Sequence, residues 1–242
     1  MHAVAIIPAR LGSSRLPRKP MRMLAGRPLI EHVYRAVKAS PLLAKVVVAT
    51  DSCEIYEFCR AQGMAVELTS EQCRSGTDRV QETVRKIPAD LYVNVQGDEP
   101  MTRPEHISAL LEAMQPGVQV GTLKIAISRE EARDPNVVKV VTDQNGRALY
   151  FSRLPIPFDR DAIGARYYKH LGFYVYRRAV LDEFVKWPES ELEKAERLEQ
   201  LRFLENGVDI QVAETAYDTV GVDTEEDLAR VEELLRKRER RN

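Results

Sequence analysis

Residues 3–50 read AVAIIPARLGSSRLPRKPMRMLAGRPLIEHVYRAVKASPLLAKVVVAT, and this stretch decides the fold. It opens on an apolar run, Ala3–Pro8 (AVAIIP), that reads as a short buried strand. It closes on a second, Lys45–Thr50 (KVVVAT), which ends at Asp51. Between them, residues 9–27 lack periodicity and hold Gly, Ser and Pro, the marks of a loop. Pro28 suits the first turn of a helix, where its missing N–H costs nothing. Leu29, Ile30, Val33 and Val37 then mark one helical face to about Ser40.

The same rhythm continues outward. Cys53–Gln62 reads as a helix, Ala65–Leu68 as a short strand, Thr77–Ile87 as a helix, Leu91–Val95 as a strand and Pro104–Met114 as a helix. This alternation predicts an α/β fold, a mixed and mainly parallel sheet with helices on both faces. After Gly117 the pattern changes. Val118–Ile127, Val137–Thr142, Ala148–Ser152 and His170–Tyr176 are strand-like with few helices between them, as antiparallel strands or a mixed sheet would be. Helices resume at about 179–187 and 194–205. Val208–Ala213 reads as a final strand. Thr224–Arg238 reads as a final helix, capped by Thr224 with Glu225, Glu226 and Asp227 in its first turn. The organisation expected is one domain over 1–242 with an inserted β-rich excursion at 118–177.

Composition excludes several classes. The 242 residues are 44% apolar and 30% charged, enough to build a core. With 36 basic against 37 acidic residues the net charge is −1, which argues against a nucleic-acid binder. No apolar run reaches the roughly 18–20 residues that span a bilayer, and Met1–Pro8 lacks the basic start of a signal peptide. A cytoplasmic protein without membrane partners is expected. Cys53, Cys59 and Cys73 have no CxxC spacing, so buried, reduced thiols are expected rather than disulfides or a structural zinc. The run Arg236–Arg241 reads as a helix end with favourable dipole placement.

Two segments carry chemistry. The loop Arg10–Arg27 holds Arg10, Arg15, Arg18, Lys19, Arg22 and Arg27 and no acid. It leaves the carboxyl end of the first strand, where open α/β sheets bind ligands. Gly12, Ser13 and Ser14 permit close approach of an anion to the backbone, and Arg and Lys neutralise a polyphosphate. Neither GxxxxGK[ST] nor GxGxxG is present, so this is a phosphate loop of another type. The second segment is VNVQGDEP at 93–100. It places Asp98 at a strand end, where a hard cation takes carboxylate oxygens together with substrate phosphates; an acidic turn facing water is the alternative. Asp223, in GVDT at 221–224, is either a second such acid or a helix cap. Residue spacing alone does not bring Asp98 and Asp223 together.

These segments, in this order, resemble the CMP-Kdo synthetases, also called 3-deoxy-manno-octulosonate cytidylyltransferases. The motifs are IIPARLGSSRLPRKP at 6–20, VVATD at 47–51, SGTDR at 75–79, VNVQGDEP at 93–100 and PNVVKVV at 135–141. ALYFSR with PIP at 148–157, HLGFYVYR at 170–177, LEQLRFLENG at 198–207 and GVDTEEDL at 221–228 continue the match. Family members often carry Gly where this chain has Arg18.

The resemblance implies the nucleotide-diphospho-sugar transferase type of fold, a homodimer joined through the β excursion, and a reaction. CMP passes from CTP to the anomeric 2-hydroxyl of Kdo, giving CMP-Kdo and pyrophosphate for lipopolysaccharide biosynthesis. Residue by residue it implies that Pro8, Ala9, Arg10, Gly12 and Ser13 frame the CTP phosphates and ribose. Arg15 and Lys19 neutralise the triphosphate, and Asp98 and Asp223 hold Mg²⁺. Arg10, Lys19, Asp98 and Asp223 are the implied catalytic set. Ala49, Asp51, Ser75, Gly76 and Arg79 surround the cytosine. Gln96, Arg153, His170, Tyr174, Glu199 and Gln200 meet Kdo.

Plainer readings stand beside these. Arg153 suits a surface ion pair, His170 a core histidine bonded to backbone, and Glu199 and Gln200 a helix face turned to water. Tyr150, Phe151, Tyr174 and Tyr176 suit a core. Two rival functions remain: a CMP-sialic acid synthetase, separable by assay with the two acid sugars, and a catalytically dead nucleotide-binding module, separable by pyrophosphate release.

Overall fold

A computed structural model describes residues 2–12, 15–73 and 75–239. The chain separates into two compact units, Met1–Ile107 with Thr219–Asn242, and Ser108–Asp218. The segment 118–177 lies inside the second unit, which extends on either side of it.

The first unit begins with β1 (Ala3–Ala9), all seven residues buried. A 3-10 turn at Lys19–Met21 and a small hairpin, β2 (Met23–Leu24) with β3 (Arg27–Pro28), lead to α1 (Leu29–Lys38). Then come β4 (Lys45–Thr50), α2 (Cys53–Ala61), β5 (Val66–Leu68), α3 (Gly76–Lys86), β6 (Leu91–Asn94) and the start of α4 (Pro104–Glu112), within which the first unit ends. Parallel pairing fixes the order β6-β1-β4-β5. Ile6 lies opposite Val47 on one side and Asn94 on the other, and Ala49 opposite Glu67. β1 and β4 are covered by α1, α2 and α3, and strands buried on both faces read as nearly unbroken apolar runs. Because these strands run the same way, the segments after Ala9, Thr50 and Asn94 all leave from one edge of the sheet, where ligands bind in such folds.

The second unit holds β7 (Val120–Ile127), β8 (Lys139–Thr142), β9 (Ala148–Ser152) and β10 (Tyr167–Tyr176). It continues with α5 (Arg178–Phe184), α6 (Glu191–Glu196), α7 (Leu201–Glu205) and β11 (Ile210–Glu214). β10 runs antiparallel to β7 and β8, β9 antiparallel to β8, and β11 parallel to β7. The change of pattern after Gly117 is thus a change from parallel to largely antiparallel pairing. Phe184 stacks on Phe203 at 4.5 Å between ring centroids, Tyr176 on Phe203 at 5.9 Å. Arg202 lies over the Phe184 ring and pairs with buried Glu193 at 2.5 Å. The chain then returns to the first unit and ends in α8 (Glu225–Glu239).

Several expectations need correction. Pro28 is not in the first turn of α1. It is extended, with φ −60° and ψ 146°, pairs with Met23 and precedes the helix. The loop 9–27 contains the 3-10 turn and the hairpin, elements too short to show a period. Residues 194–205 are two helices because Arg197 adopts a left-handed conformation, φ 56° and ψ 45°, that ends α6. β10 starts at Tyr167, ahead of His170. Among the cysteines, all free, only Cys59 is buried; Cys53 is exposed and Cys73 is half-buried.

Candidate active site

The turn after β6 is shaped by a close approach. A methyl group at Gly97 would lie 2.8 Å from the carbonyl oxygen of Pro8, so only glycine fits beside the end of β1. Asp98 follows. Its carbonyl accepts the N–H of Val222 at 2.9 Å, which ties this turn to the segment carrying Asp223. Thr219 adds a second tie, its hydroxyl donating to Glu99 at 2.6 Å. The two acids, far apart in sequence, converge on one cation. Lys19 Nζ donates to Asp98 Oδ2 at 2.5 Å and to Asp223 Oδ1 at 2.9 Å. Arg15 pairs with the other oxygen of Asp223 at 3.0 Å. Burial alone would lower the pKa of the Lys19 ammonium. The carboxylates of Asp98 and Asp223 outweigh it and hold that pKa above its ordinary value.

Helix capping at α8 is the work of Thr224 and Asp227, not of Asp223. The Thr224 hydroxyl accepts the N–H of Asp227 at 3.1 Å, and the Asp227 carboxylate accepts the N–H of Thr224 at 3.0 Å. That leaves the Asp223 side chain to the basic loop. The loop is seated from below by an apolar cluster in which Leu16, Leu24 and Leu29 pack with Val222, Leu228 and Val231. Arg18 has φ 56° and ψ 32°, a left-handed conformation in which glycine is unstrained, and its guanidinium pairs with Glu54.

Across the cavity, α3 begins with a capping box. The Ser75 hydroxyl accepts the N–H of Asp78 at 3.1 Å, and Asp78 accepts the N–H of Ser75 at 3.2 Å. Gly76 sits so close to Gln96 that a methyl there would meet Gln96 Oε1 at 3.3 Å. Arg79 is buried, donating to Asp51 Oδ2 at 2.6 Å and to the Thr69 hydroxyl.

Together these residues enclose a cavity of about 580 Å³. Of the residues singled out in the sequence, Pro8, Ala9, Arg10, Gly12, Arg15, Lys19, Ser75, Gly76, Arg79, Gln96, Asp98 and Asp223 line it. Ala49 and Asp51 do not; Ala49 is buried in β4, and Asp51 is held by Arg79. Ser13 lies outside the described residues. Pro20, Cys73 and Gly97 also line the cavity and were not singled out. Cys73 had no signal beyond its place just before SGTDR. Burial pushes its thiol up to about 11, with Glu82 adding to the effect, so it is a poor nucleophile.

Two carboxylates brought to one point, opening on a cavity lined with basic side chains, suit a hard dication that draws its remaining ligands from phosphate and water. Among the described residues, no group of three or more His, Cys, Asp or Glu side chains is arranged to hold a metal.

The other sugar-side candidates, Arg153, His170, Tyr174, Glu199 and Gln200, belong to the second unit. Arg153 is not a surface ion pair. Its guanidinium donates to the carbonyls of Glu196, Pro135 and Arg197, at 2.8, 3.1 and 3.5 Å. The Glu196 carboxylate in turn accepts from the Ser152 hydroxyl and the Arg153 N–H. Three of the five guanidinium N–H groups are committed to backbone, and two remain. Gln200 is buried and Glu199 is half-buried; Glu199 and Tyr176 add to the burial that raises the Tyr174 phenol well above its ordinary value.

His170 is packed between Phe151 and Tyr174, at 4.9 and 5.5 Å between centroids. The Thr122 hydroxyl donates to the Phe173 carbonyl at 2.7 Å, so it accepts from His170 Nε2 at 2.9 Å. Burial pushes the pKa of His170 down to about 3, against about 6.5 when exposed. Between those values the unfolded chain binds a proton that the folded chain does not, so stability falls as pH drops below about 6.5. The expected loss approaches about 1.4 kcal/mol per pH unit. Unfolding midpoints between about pH 7.5 and pH 5 should show a steeper fall for wild type than for His170→Asn. Equal slopes would mean that His170 is not buried as the neutral ring.

The fold and this cavity define a nucleotidyltransferase, and comparison narrows the class. Residues 4–210 match the sequence model of the cytidylyltransferase family. A 3-deoxy-manno-octulosonate cytidylyltransferase of Koribacter versatilis is 61% identical over 238 residues, 98% of this chain and 91% of the relative. Its counterpart from Escherichia coli is 47% identical over 235 residues, 96% of each chain. The solved structure of a CMP:2-keto-3-deoxy-manno-octonic acid synthetase complexed with CTP superposes with a TM-score of 0.95 at 46% identity. It covers 98% of this chain and 100% of that one. The chain belongs to the 3-deoxy-manno-octulosonate cytidylyltransferase family.

Proposed function

We propose that this chain is a 3-deoxy-manno-octulosonate cytidylyltransferase that transfers CMP from CTP to the anomeric 2-hydroxyl of Kdo. The observation that carries the reading is the cavity at the carboxyl ends of β1 and β6, lined by Arg10, Arg15 and Lys19 together with the Asp98–Asp223 pair. CTP enters with its triphosphate against the basic loop. Arg10 lines the cavity, and among the described residues the structure gives it no ion pair, so its charge is available to phosphate. Lys19 and Arg15 neutralise charge that builds on the leaving pyrophosphate. Pro8, Ala9 and Gly12 hold the nucleotide at the end of β1, and Ser75 and Gly76 bound the opposite wall. Arg79 and Asp51 support that wall from behind, with Ala49 deeper in β4.

The sugar 2-hydroxyl attacks the α-phosphorus in line and releases its proton to solvent, the bond from that phosphorus to the oxygen bridging the β-phosphate breaks, and pyrophosphate leaves. The chain's contribution is to position the reactants and to place fixed charge where charge develops. Mg²⁺ is the proposed cofactor, held by Asp98 and Asp223; the chemistry it supplies when bound is Lewis-acid polarisation of a phosphate oxygen. Gln96, Arg153, His170, Tyr174, Glu199 and Gln200 are the proposed Kdo contacts. The two uncommitted N–H groups of Arg153 suit the sugar carboxylate.

The product feeds lipopolysaccharide assembly, and a cytoplasmic homodimer is proposed. No described helix is long and apolar enough to cross a membrane. A second copy on the 118–177 segment is supported by its exposed Leu149, Leu154, Phe158 and Ile163. The test of function is pyrophosphate release with CTP, Mg²⁺ and a panel of acid sugars. Release with Kdo and not with sialic acid supports the proposal; release with neither overturns it.

A further inference from the structure

We propose that Lys19 and Arg15 are the resident counter-ions of the Asp98–Asp223 pair, and that they keep divalent cations off the pair until a polyphosphate draws both basic side chains away. The inference rests on the reading of Asp98 and Asp223 as the metal-holding acids. Lys19 bridges the two carboxylates at 2.5 and 2.9 Å, and Arg15 caps the free oxygen of Asp223 at 3.0 Å. Two anionic and two cationic side chains meet there, with a formal sum of zero. Bare, the pair would present two negative charges to solvent and attract any dication. Neutralised, it presents none, and an entering dication must expel an ammonium already within hydrogen-bond reach of both acids.

The ammonium is hard to expel for a structural reason. The Lys19 side chain is only 15% exposed, and its turn is seated on Leu16, buried Pro20 and Leu24. Arg15, at 66% exposure, is the more solvent-accessible of the two cations. A triphosphate reverses the balance, because it gives both cations phosphate partners within the same cavity that Arg15, Lys19 and the acids line. The carboxylates are then left with unbalanced charge at the moment the phosphates supply the remaining ligands. Metal and nucleotide therefore favour one another's binding, and such coupling acts equally in both directions.

The experiment measures Mn²⁺ alone, without nucleotide or sugar, by the loss of the free-ion electron paramagnetic resonance signal. Wild type is expected to bind Mn²⁺ weakly. Lys19→Met should bind it about tenfold more tightly or better, since one opposing charge next to the site is gone. Arg15→Ala, exposed and tolerant of change, should gain about two- to fivefold by the same reasoning. Adding Asp98→Asn to Lys19→Met should abolish the gain. Unchanged or weaker Mn²⁺ binding in both single variants overturns the counter-ion role. If the gain survives Asp98→Asn, the ion sits elsewhere, and both this inference and the two-acid metal reading fail.

Discussion

Asp98→Asn should retain the fold and lower kcat/KM for CMP transfer by on the order of 10²–10³, the scale set by removing one preorganised electrostatic contact from a transition state. The substitution keeps the shape of the turn. The Asp98 carbonyl still accepts the N–H of Val222, and Gly97 still fits against Pro8. What is lost is a negative charge, and a neutral amide is a poor ligand for a hard dication. Thermal stability should change little, within about 1 kcal/mol, because Asp223 still pairs with the Lys19 ammonium and the amide oxygen introduced in place of the carboxylate can still accept from it. Asp223→Asn should behave alike, since Thr224 and Asp227, not Asp223, cap α8. Pyrophosphate release across a range of Mg²⁺ concentrations, beside melting curves, is the measurement. Near wild-type turnover at low Mg²⁺ in either variant would remove that residue from the metal site.

The largest loss of stability should come from Asp51→Ala. The Arg79 side chain is 3% exposed and pairs with the Asp51 carboxylate at 2.6 Å; the Thr69 hydroxyl, which also accepts from it, supplies no charge. Removing one partner of a buried pair strands the other charge, which costs about 3–5 kcal/mol. Arg79→Met in the Asp51→Ala background should recover part of that loss by removing the stranded guanidinium. Urea unfolding with an unchanged slope gives the comparison. A shift below about 0.5 kcal/mol in Asp51→Ala would show that Arg79 finds solvent or another acceptor, and its role would then be ligand contact rather than support of the cavity wall.

Much of this architecture was legible in the sequence because buried parallel strands write themselves as apolar runs, as in AVAIIP and KVVVAT. The change after Gly117 was legible from the loss of helices between strands, which left antiparallel strands and a mixed sheet both open. What stayed hidden was geometry carried by single residues. Arg197 splits a helical stretch through one left-handed conformation, and no periodicity reports it. The meeting of Asp98 with Asp223 depends on one main-chain bond from Val222 and one lysine placed between the two acids. Neither leaves a trace in local spacing; only the resemblance of ordered motifs pointed there. Arg79 shows the opposite case. It was singled out as a nucleotide contact, and what the structure shows is a buried guanidinium bonded to Asp51 and Thr69.

The first unit is built from two stretches of chain, Met1–Ile107 and Thr219–Asn242, with all of the second made between them. During synthesis on the ribosome, β1, β4 and β6 and the basic loop emerge early, yet Asp223 and the Val222, Leu228 and Val231 that seat the loop emerge last. A nascent chain halted before Thr219 holds Lys19 and Asp98 but lacks the partner that fixes them. Polypeptides released early therefore carry Asp98 without Asp223, and a Lys19 ammonium left with one of the two carboxylates that it bridges in the folded chain.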